Sequence, residues 1–350
     1  MTSLADAIRS PELFPHALNV AGNAVKFIRL SRADYESASF LDERVLGPQT
    51  SFSLVPWPDV TAAIEAAALA ETCHFIFHIG HVGSTLISRL LGDHPATFAL
   101  REPLILRTLA KTTGEPGGAP AESAEGHSAR LRNSLKLLSR TFDPDQVAVV
   151  KATSFVSEIA ADLMARPSAP KALLMLVSPE SYIATILGGA NSRREAALLT
   201  PGRAARLRKR LGHQDWQTES LSEGETLALG WACEMTGLAQ AARVAPEHVL
   251  RMDFDAFLLD PAPQLFSALR HFGIATTAAE VARILNGPIR FRYSKGPEHA
   301  YDAQLRREVL AAARADHGAE IRRGLAWLER AAVHHKDIRA AWAFAAGPGP

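Results

Sequence analysis

Four stretches of the chain place chemically active side chains directly after short apolar runs. A glycine-containing turn follows the first run, Glu102 the second, Lys151 the third and Ser178 the fourth. The turn consists of Gly80, His81, Val82, Gly83, Ser84 and Thr85. Two glycines let backbone N–H groups approach an anion, and the hydroxyls add donors at a helix N-terminus. The pattern favours binding of a phosphorylated or sulfated ligand beside an acid and a base.

Short predicted strands alternate with longer predicted helices, and these elements must position the residues. Apolar runs bounded by polar residues, glycine or proline predict strands at 73–79, 97–100, 146–150, 171–177 and 248–252. Helical spacing predicts helices at 84–92, 129–140, 154–166, 180–189, 222–243, 262–272, 277–285 and 302–332. This alternation predicts an α/β fold, with a central, mostly parallel sheet flanked by helices in three P-loop-like layers. Ligands bind at the carboxyl ends of such strands.

Two further segments complete the predicted organisation. Residues 1–70 form an N-terminal elaboration with one strand at 24–30 and helical segments near 32–46 and 58–71. They are expected to cap one side of the ligand site. Residues 71–345 form the main domain. Within it, residues 112–128 are rich in Gly, Pro, Ser and Glu without periodicity, which predicts a mobile loop.

Composition excludes several classes of function. The 350 residues carry 38 basic and 37 acidic side chains, a formal net charge of +1, so no broad basic surface for a nucleic acid polymer or an anionic membrane is expected. The two cysteines lie far apart, and no basic stretch followed by an apolar run opens the chain, which predicts a cytoplasmic protein without disulfides. No apolar stretch is long enough for a membrane span. The oligomeric state is left open.

The glycine turn is not a Walker A loop, because Ser84 stands where G-x-x-x-x-G-K-[ST] requires lysine after the second glycine. A P-loop nucleotide kinase or NTPase is therefore a less favoured alternative function. A tight strand-to-helix connection without any ligand is the plain structural alternative. His74, His78 and His81 are close in sequence, but isolated histidines are more often core or surface residues than ligands, so no metal site is predicted.

At residues 77–107, FHIGHVGSTLISRLLGDHPATFALREPLILR, the chain resembles bacterial sulfotransferases that use 3′-phosphoadenosine 5′-phosphosulfate. A second segment, HVLRMDFDAFLLDPAPQLFSALRHFGI at 248–274, resembles the strand, acidic segment and helix of the same family. The resemblance covers roughly residues 73 to 300. It implies a nucleotide donor, no required metal, and transfer of a sulfuryl group to a hydroxyl or amine of an unidentified acceptor.

The resemblance also implies roles for individual residues. Glu102 would accept the proton of the acceptor, and Lys151 would neutralise charge on the bridging oxygen and the sulfate. The turn would hold the 5′-phosphate, with His81 in its basic slot or acting as a second proton carrier. The competing interpretations are structural: a salt bridge from Glu102 to Arg101 or Arg107, and a pairing of Lys151 with Glu102.

Two positions depart from the family pattern of the donor site. His81 stands where the turn usually has Lys or Arg, and Val177 stands where an Arg-x-Pro signature would grip the 3′-phosphate. A catalytically inactive nucleotide-binding protein is thus a third reading. The same signature also includes a serine hydroxyl, and here Thr185 supplies a hydroxyl at that position. The predicted replacements and remaining donor-site residues are Ser178, Thr185, Arg193, Arg292, Lys295 and Gly296.

Residues 191–213 are strongly basic, carrying seven Lys or Arg side chains against Glu195. Arg193 directly follows the segment predicted to bind the 3′-phosphate. The later part of the stretch, from Arg203 to Arg210, is expected to be a solvated helix face or loop.

Overall fold

A five-stranded parallel sheet lies at the centre of the computed structural model, which describes residues 3–112, 123–212, 217–291 and 302–347. A separate three-stranded antiparallel sheet precedes it in the chain. The eight strands are β1 (Leu13–Asn19), β2 (Ala24–Arg29), β3 (Phe52–Pro56), β4 (His74–His78), β5 (Thr97–Arg101), β6 (Val147–Lys151), β7 (Ala172–Leu176) and β8 (Val249–Asp253). The central order is β5-β6-β4-β7-β8, and every pairing in it is parallel. The predicted α/β fold with a central parallel sheet is confirmed.

Helices fill the connections between the strands and flank the central sheet. They are α1 (Leu4–Ala7), α2 (Arg32–Ser37), α3 (Trp57–Ala66), α4 (Ser84–Gly92), α5 (Leu104–Thr112), α6 (Ala124–Leu138), α7 (Ala160–Met164), α8 (Pro179–Leu187), α9 (Ala190–Leu211), α10 (Glu223–Val244), α11 (Phe254–Leu259), α12 (Pro261–His271), α13 (Ala278–Asn286), α14 (Ala303–His334) and α15 (Lys336–Ala346). Helix α10 is buried along most of its length and packs against α7, α8, α9, α14 and α15. No described helix is both long enough and apolar enough to cross a membrane.

The register of the central sheet brings the acid and the base together. Arg101, the last residue of β5, pairs with Lys151, the last residue of β6, so Glu102 begins directly beside that lysine. The Glu102 amide donates to the Lys151 carbonyl at 2.6 Å. Strand β4 lies on the other side of β6, which places the glycine turn at the same edge.

The N-terminal elaboration differs from its prediction. It contains three strands instead of one, and the helix expected near 32–46 ends at Ser37, after which the chain is extended at Ala38. The first hairpin turns at residues 20–23, where the Gly22 amide donates to the Asn19 side chain and Asn23 takes a positive φ of 44°. An Asn-x-x-Gly-Asn turn between two apolar runs is a hairpin signal, and the prediction of a single strand at 24–30 missed the strand before it.

The expected loop at 112–128 also ends earlier than predicted. Ser123 accepts a hydrogen bond from the Gly126 amide and so caps α6, which makes residues 124–128 helical. Residues 113–122 lie outside the described ones.

The expectation of a solvated face from Arg203 to Arg210 was wrong for two of its arginines. Arg203 and Arg206 are almost fully buried and bind Glu234 of α10 at 3.0 and 2.9 Å. The Ser157 hydroxyl donates to the same carboxylate. The periodicity of a basic segment cannot show that a carboxylate on another helix will neutralise it, since the pair is separated by about thirty residues.

Candidate active site

A cavity of about 1000 Å³ opens at the carboxyl edge of β4, β5 and β6. Its walls combine the glycine turn, the acid and the base with parts of α8, α9 and α14. Three residues of the N-terminal elaboration, Phe40, Asp42 and Arg44, complete the lining. The structure thus gathers the turn, Glu102, Lys151 and Thr185 around one space.

The glycine turn has the backbone conformation of an anion-binding loop. Gly80, His81 and Gly83 all have positive φ, at 88°, 54° and 64°. Helix α4 begins at Ser84, and no side chain caps its N-terminus. Its first-turn N–H groups are therefore available to a ligand in the cavity. Gly83 is required for two reasons. Its positive φ favours glycine, and an added Cβ would lie 2.0 Å from the Phe254 ring. A positive φ at His81 is strained for a residue with a Cβ, as is common at functional sites.

Glu102 and Lys151 form a buried ion pair inside the cavity. The Lys151 side chain is 1% exposed, and its Nζ contacts Oε1 of Glu102. Burial lowers the pKa of Lys151, and the adjacent Glu102 carboxylate opposes that effect. Glu102 has a positive φ of 55°. Of the structural alternatives predicted from sequence, the Lys151–Glu102 pairing is present, whereas Arg101 and Arg107 form no salt bridge with Glu102 among the described residues.

Arg44 reaches this pair from the N-terminal elaboration. Its Nη2 lies 3.9 Å from Oε2 of Glu102, and its guanidinium binds Asp42 through two hydrogen bonds of 2.8 and 2.5 Å. The guanidinium also lies 3.5 Å from the centroid of the Phe40 ring. Sequence reasoning missed Arg44, since no motif marks an arginine that reaches a strand end 58 residues later.

Arg101 fixes the segment that carries Arg44. Its buried guanidinium donates to the backbone carbonyls of Tyr35 and Ala38, and its own carbonyl accepts from the Leu41 amide at 2.6 Å. The strand end that leads to Glu102 therefore also anchors residues 38–44 at the cavity.

His78, the last residue of β4, lies beneath the turn. Its Nδ1 accepts a hydrogen bond of 3.1 Å from the Gly80 amide, and its Nε2 is 3.8 Å from Oε1 of Glu102. Burial, followed by the positive charge of Lys151, lowers its pKa well below the ordinary value, so the imidazole is neutral at pH 7.

At the other end of the cavity, Thr185 meets an arginine that the sequence did not single out. The Thr185 Oγ1 accepts a hydrogen bond of 2.8 Å from Nη1 of Arg306, on α14. The Arg306 side chain is 3% exposed and also binds Asp255 at 2.8 Å. The position of the missing signature arginine, Val177, is fully buried in the core. The sequence did not predict Arg306 as a site residue, because one arginine among the 30 of this chain is weak evidence for a function.

Other predicted residues lie apart from this cavity. Ser178 is exposed and caps α8 by accepting from the Ser181 amide, while Arg193 pairs with Glu223 on the surface, and neither lines the cavity. Arg292, Lys295 and Gly296 lie outside the described residues. His81 does line the cavity, with its Nε2 3.8 Å from a carboxylate oxygen of Glu195.

Charge at the cavity mouth is mixed. Glu195, Asp302 and Glu308 line it together with the basic groups already described. Within the described ranges, no three His, Cys, Asp or Glu side chains are grouped so as to hold a metal ion. His74, the most distant member of the histidine group, stacks on Phe272.

No protein-family model matches the chain, and no curated protein sequence does. Several solved structures are similar in fold. The sulfotransferase domain from the curacin biosynthetic pathway is 14% identical, with 71% of this chain and 97% of that chain covered at a TM-score of 0.45. Sulfotransferase STF9 from Mycobacterium avium is 13% identical (73% and 81% covered, TM-score 0.41), and a sulfotransferase from Alicyclobacillus acidocaldarius is 18% identical (74% and 99%, TM-score 0.36). Similarity at this level assigns no activity to the chain.

Proposed function

We propose that this protein is a sulfotransferase that moves a sulfuryl group from 3′-phosphoadenosine 5′-phosphosulfate to a hydroxyl or amine of an acceptor. One observation carries the proposal. The anion-binding turn before α4 and the Glu102–Lys151 pair line the same cavity, at the edge of the sheet where parallel strands end. The sequence resemblance at 77–107 and 248–274 supports the same reading.

The donor would bind through groups at both ends of the cavity. The backbone of residues 80–85 and the hydroxyls of Ser84 and Thr85 suit the 5′-phosphate, because a helix N-terminus offers N–H groups and a favourable dipole. Thr185 with Arg306 suits the 3′-phosphate and supplies the guanidinium that Val177 cannot. Arg292 and Lys295 remain predicted contributors.

Glu102 and Lys151 would carry the chemistry. An in-line transfer forms a bond from the acceptor oxygen or nitrogen to sulfur and breaks the bond from sulfur to the bridging oxygen, releasing adenosine 3′,5′-bisphosphate. Glu102 would take the acceptor proton. Lys151 would stabilise negative charge on the transferring group and the leaving oxygen, which requires it to exchange part of its contact with Glu102 for the ligand.

The acceptor would enter from the side of the N-terminal elaboration. Phe40, Asp42 and Arg44 line the cavity there, beside the proposed base. This placement supports residues 1–70 as an acceptor-side cap, since specificity generally lies in segments added over a fixed site.

Binding measurements separate this function from its two competitors. Isothermal titration calorimetry should detect adenosine 3′,5′-bisphosphate binding without metal. Binding of ATP with Mg²⁺ in its place would support a nucleotide kinase or NTPase. An inactive nucleotide-binding protein would bind the bisphosphate yet transfer no sulfuryl group from a ³⁵S-labelled donor to any of a panel of hydroxyl and amine acceptors.

Thr185→Val tests the 3′-phosphate assignment. The variant loses the hydroxyl bonded to Arg306 and should weaken bisphosphate binding about tenfold or more, since hydrogen bonds to charged groups contribute about 1.5–3 kcal/mol. Thr200→Val is the matched control, because Thr200 also donates to a carbonyl four residues earlier but does not line the cavity. Equal affinity in both variants would argue against the 3′-phosphate site.

A further inference from the structure

A buried imidazole beside the proposed base has no role in the reaction as described. His78 lines the cavity but lies almost entirely out of solvent. Among the described residues its Nε2 forms no hydrogen bond; Oε1 of Glu102 lies 3.8 Å away, and the backbone of Ala152 is also close enough to the ring to raise its pKa. A buried donor left unsatisfied destabilises the fold, so its presence needs an explanation.

The backbone fixes the tautomer of this imidazole. The Gly80 N–H can only donate, so the Nδ1 that it contacts is an unprotonated acceptor. Because the ring is neutral, its single proton lies on Nε2. The His78 ring therefore presents an N–H group to the carboxylate of Glu102.

The 3.8 Å separation is longer than a hydrogen bond, and the facing oxygen already has another partner. Lys151 Nζ contacts the same carboxylate oxygen, Oε1. If an anionic ligand draws Lys151 away, that oxygen loses its cationic partner inside a buried site. Two donors then remain near the carboxylate: Nη2 of Arg44, 3.9 Å from Oε2, and Nε2 of His78, 3.8 Å from Oε1, the oxygen that Lys151 has left.

We propose that His78 is a positioning residue for Glu102. When Lys151 moves to the transferring group, the Nε2–H of His78 donates a hydrogen bond to Oε1 of Glu102. Because its Nδ1 still accepts from the Gly80 amide, the ring then links the carboxylate to the glycine turn. The Glu102 carboxylate is then oriented for proton transfer only when the glycine turn has the conformation that binds the ligand. This assignment rests on the proposed function.

Two substitutions separate the halves of this role. In His78→Asn the side-chain oxygen keeps the acceptor near Nδ1 but removes the donor near Nε2; His78→Gln does the reverse. We expect His78→Asn to lower kcat about 10- to 100-fold, the usual effect of removing a group that orients an active-site ligand, with near-normal bisphosphate affinity. His78→Gln should retain most of kcat but bind the bisphosphate more weakly.

A purely structural role would predict something else. Both substitutions would then lower thermal stability, kcat and affinity together, and that parallel loss would overturn the proposal. His74→Asn is the control, because His74 is on the same strand and its Nδ1 also accepts from a backbone amide, that of Lys171. It should leave kcat and affinity unchanged.

NMR of ¹⁵N-histidine-labelled protein tests the assignment without any acceptor. The His78 signals, identified by their loss in His78→Asn, should show the neutral Nε2–H tautomer across pH 6 to 8. Adding adenosine 3′,5′-bisphosphate with inorganic sulfate should shift the Nε2 proton in the wild-type protein but not in Glu102→Ala. An Nδ1–H tautomer, or a shift that persists in Glu102→Ala, would refute it. If the tautomer is as expected but calorimetry shows no bisphosphate binding, the proposed function fails separately.

Discussion

Replacing Gly83 by alanine should distort the glycine turn through two distinct physical effects. The first is backbone strain, since Gly83 has a φ of 64°, where a residue with a Cβ costs about 1–2 kcal/mol. The second is steric. The new Cβ would lie 2.0 Å and 2.1 Å from two carbons of the Phe254 ring, far inside contact distance.

Phe254 cannot easily yield to this intrusion. Its ring is 2% exposed, stacks near Phe257 and lies 6.0 Å from the Arg306 guanidinium. Overpacking a buried site of this kind typically costs about 1–3 kcal/mol. Together the two effects predict a loss of about 2–5 kcal/mol in the free energy of unfolding.

Gly80→Ala isolates the strain from the collision. Gly80 also has a positive φ, 88°, but in the part of the chain that the structure describes no atom beyond its chain neighbours lies within 4 Å of its added Cβ. This variant should lose only about 1–2 kcal/mol. Urea denaturation followed by circular dichroism gives both free energies of unfolding, and calorimetry with adenosine 3′,5′-bisphosphate gives the corresponding loss of affinity.

A third variant locates the collision. In a Phe254→Ala background the ring is gone, so adding Gly83→Ala should cost no more than Gly80→Ala does in the wild-type background. If Gly83→Ala and Gly80→Ala are equally destabilising in the wild-type background, contact between the turn and Phe254 does not constrain residue 83, and the reasoning is refuted.

Two further predictions concern buried carboxylates. Glu102→Ala should lower kcat about 10²- to 10⁴-fold in ³⁵S transfer assays, whereas Glu308→Ala at the cavity mouth should not; full activity in Glu102→Ala would exclude its role as base. Burial alone would raise the pKa of Glu234, but Arg206 and Arg203 hold it at about 2, against an ordinary value of 4.5. A lowered carboxyl pKa stabilises the fold above pH 4.5, so the stability difference between the wild type and Glu234→Gln should shrink by about 3 kcal/mol as the pH falls from 4.5 to 2. A pH-independent difference, measured by urea denaturation, would contradict this.

The central sheet could be predicted because its strands are marked locally. Each of the five apolar runs is short and ends at a polar or glycine residue, and all five occur as β4 to β8. The glycine turn and the start of α4 at Ser84 followed from the same local signal. The parallel register then brought Glu102 and Lys151 together, as expected of neighbouring strand ends.

The rest of the site depends on contacts between distant segments. Arg44 lines the cavity although it lies 58 positions before Glu102, and Arg306 contacts the cavity residue Thr185 although it lies 121 positions after it. Neither arginine belongs to a sequence motif. The burial of Arg203 depends in the same way on Glu234, a carboxylate of another helix. A sequence pattern reports the periodicity of one segment, whereas these placements are decided by which helices pack together.

The anchoring of residues 38–44 by Arg101 has a consequence for how the protein can change. The anchor uses backbone carbonyls of Tyr35 and Ala38 and the Leu41 amide, which every non-proline sequence can supply. The side chains of Phe40, Asp42 and Arg44 can therefore be exchanged while the tether stays in place. The segment is a natural position for a library of variants with altered acceptor preference, in which Arg101 is held constant and the donor half of the cavity is left untouched.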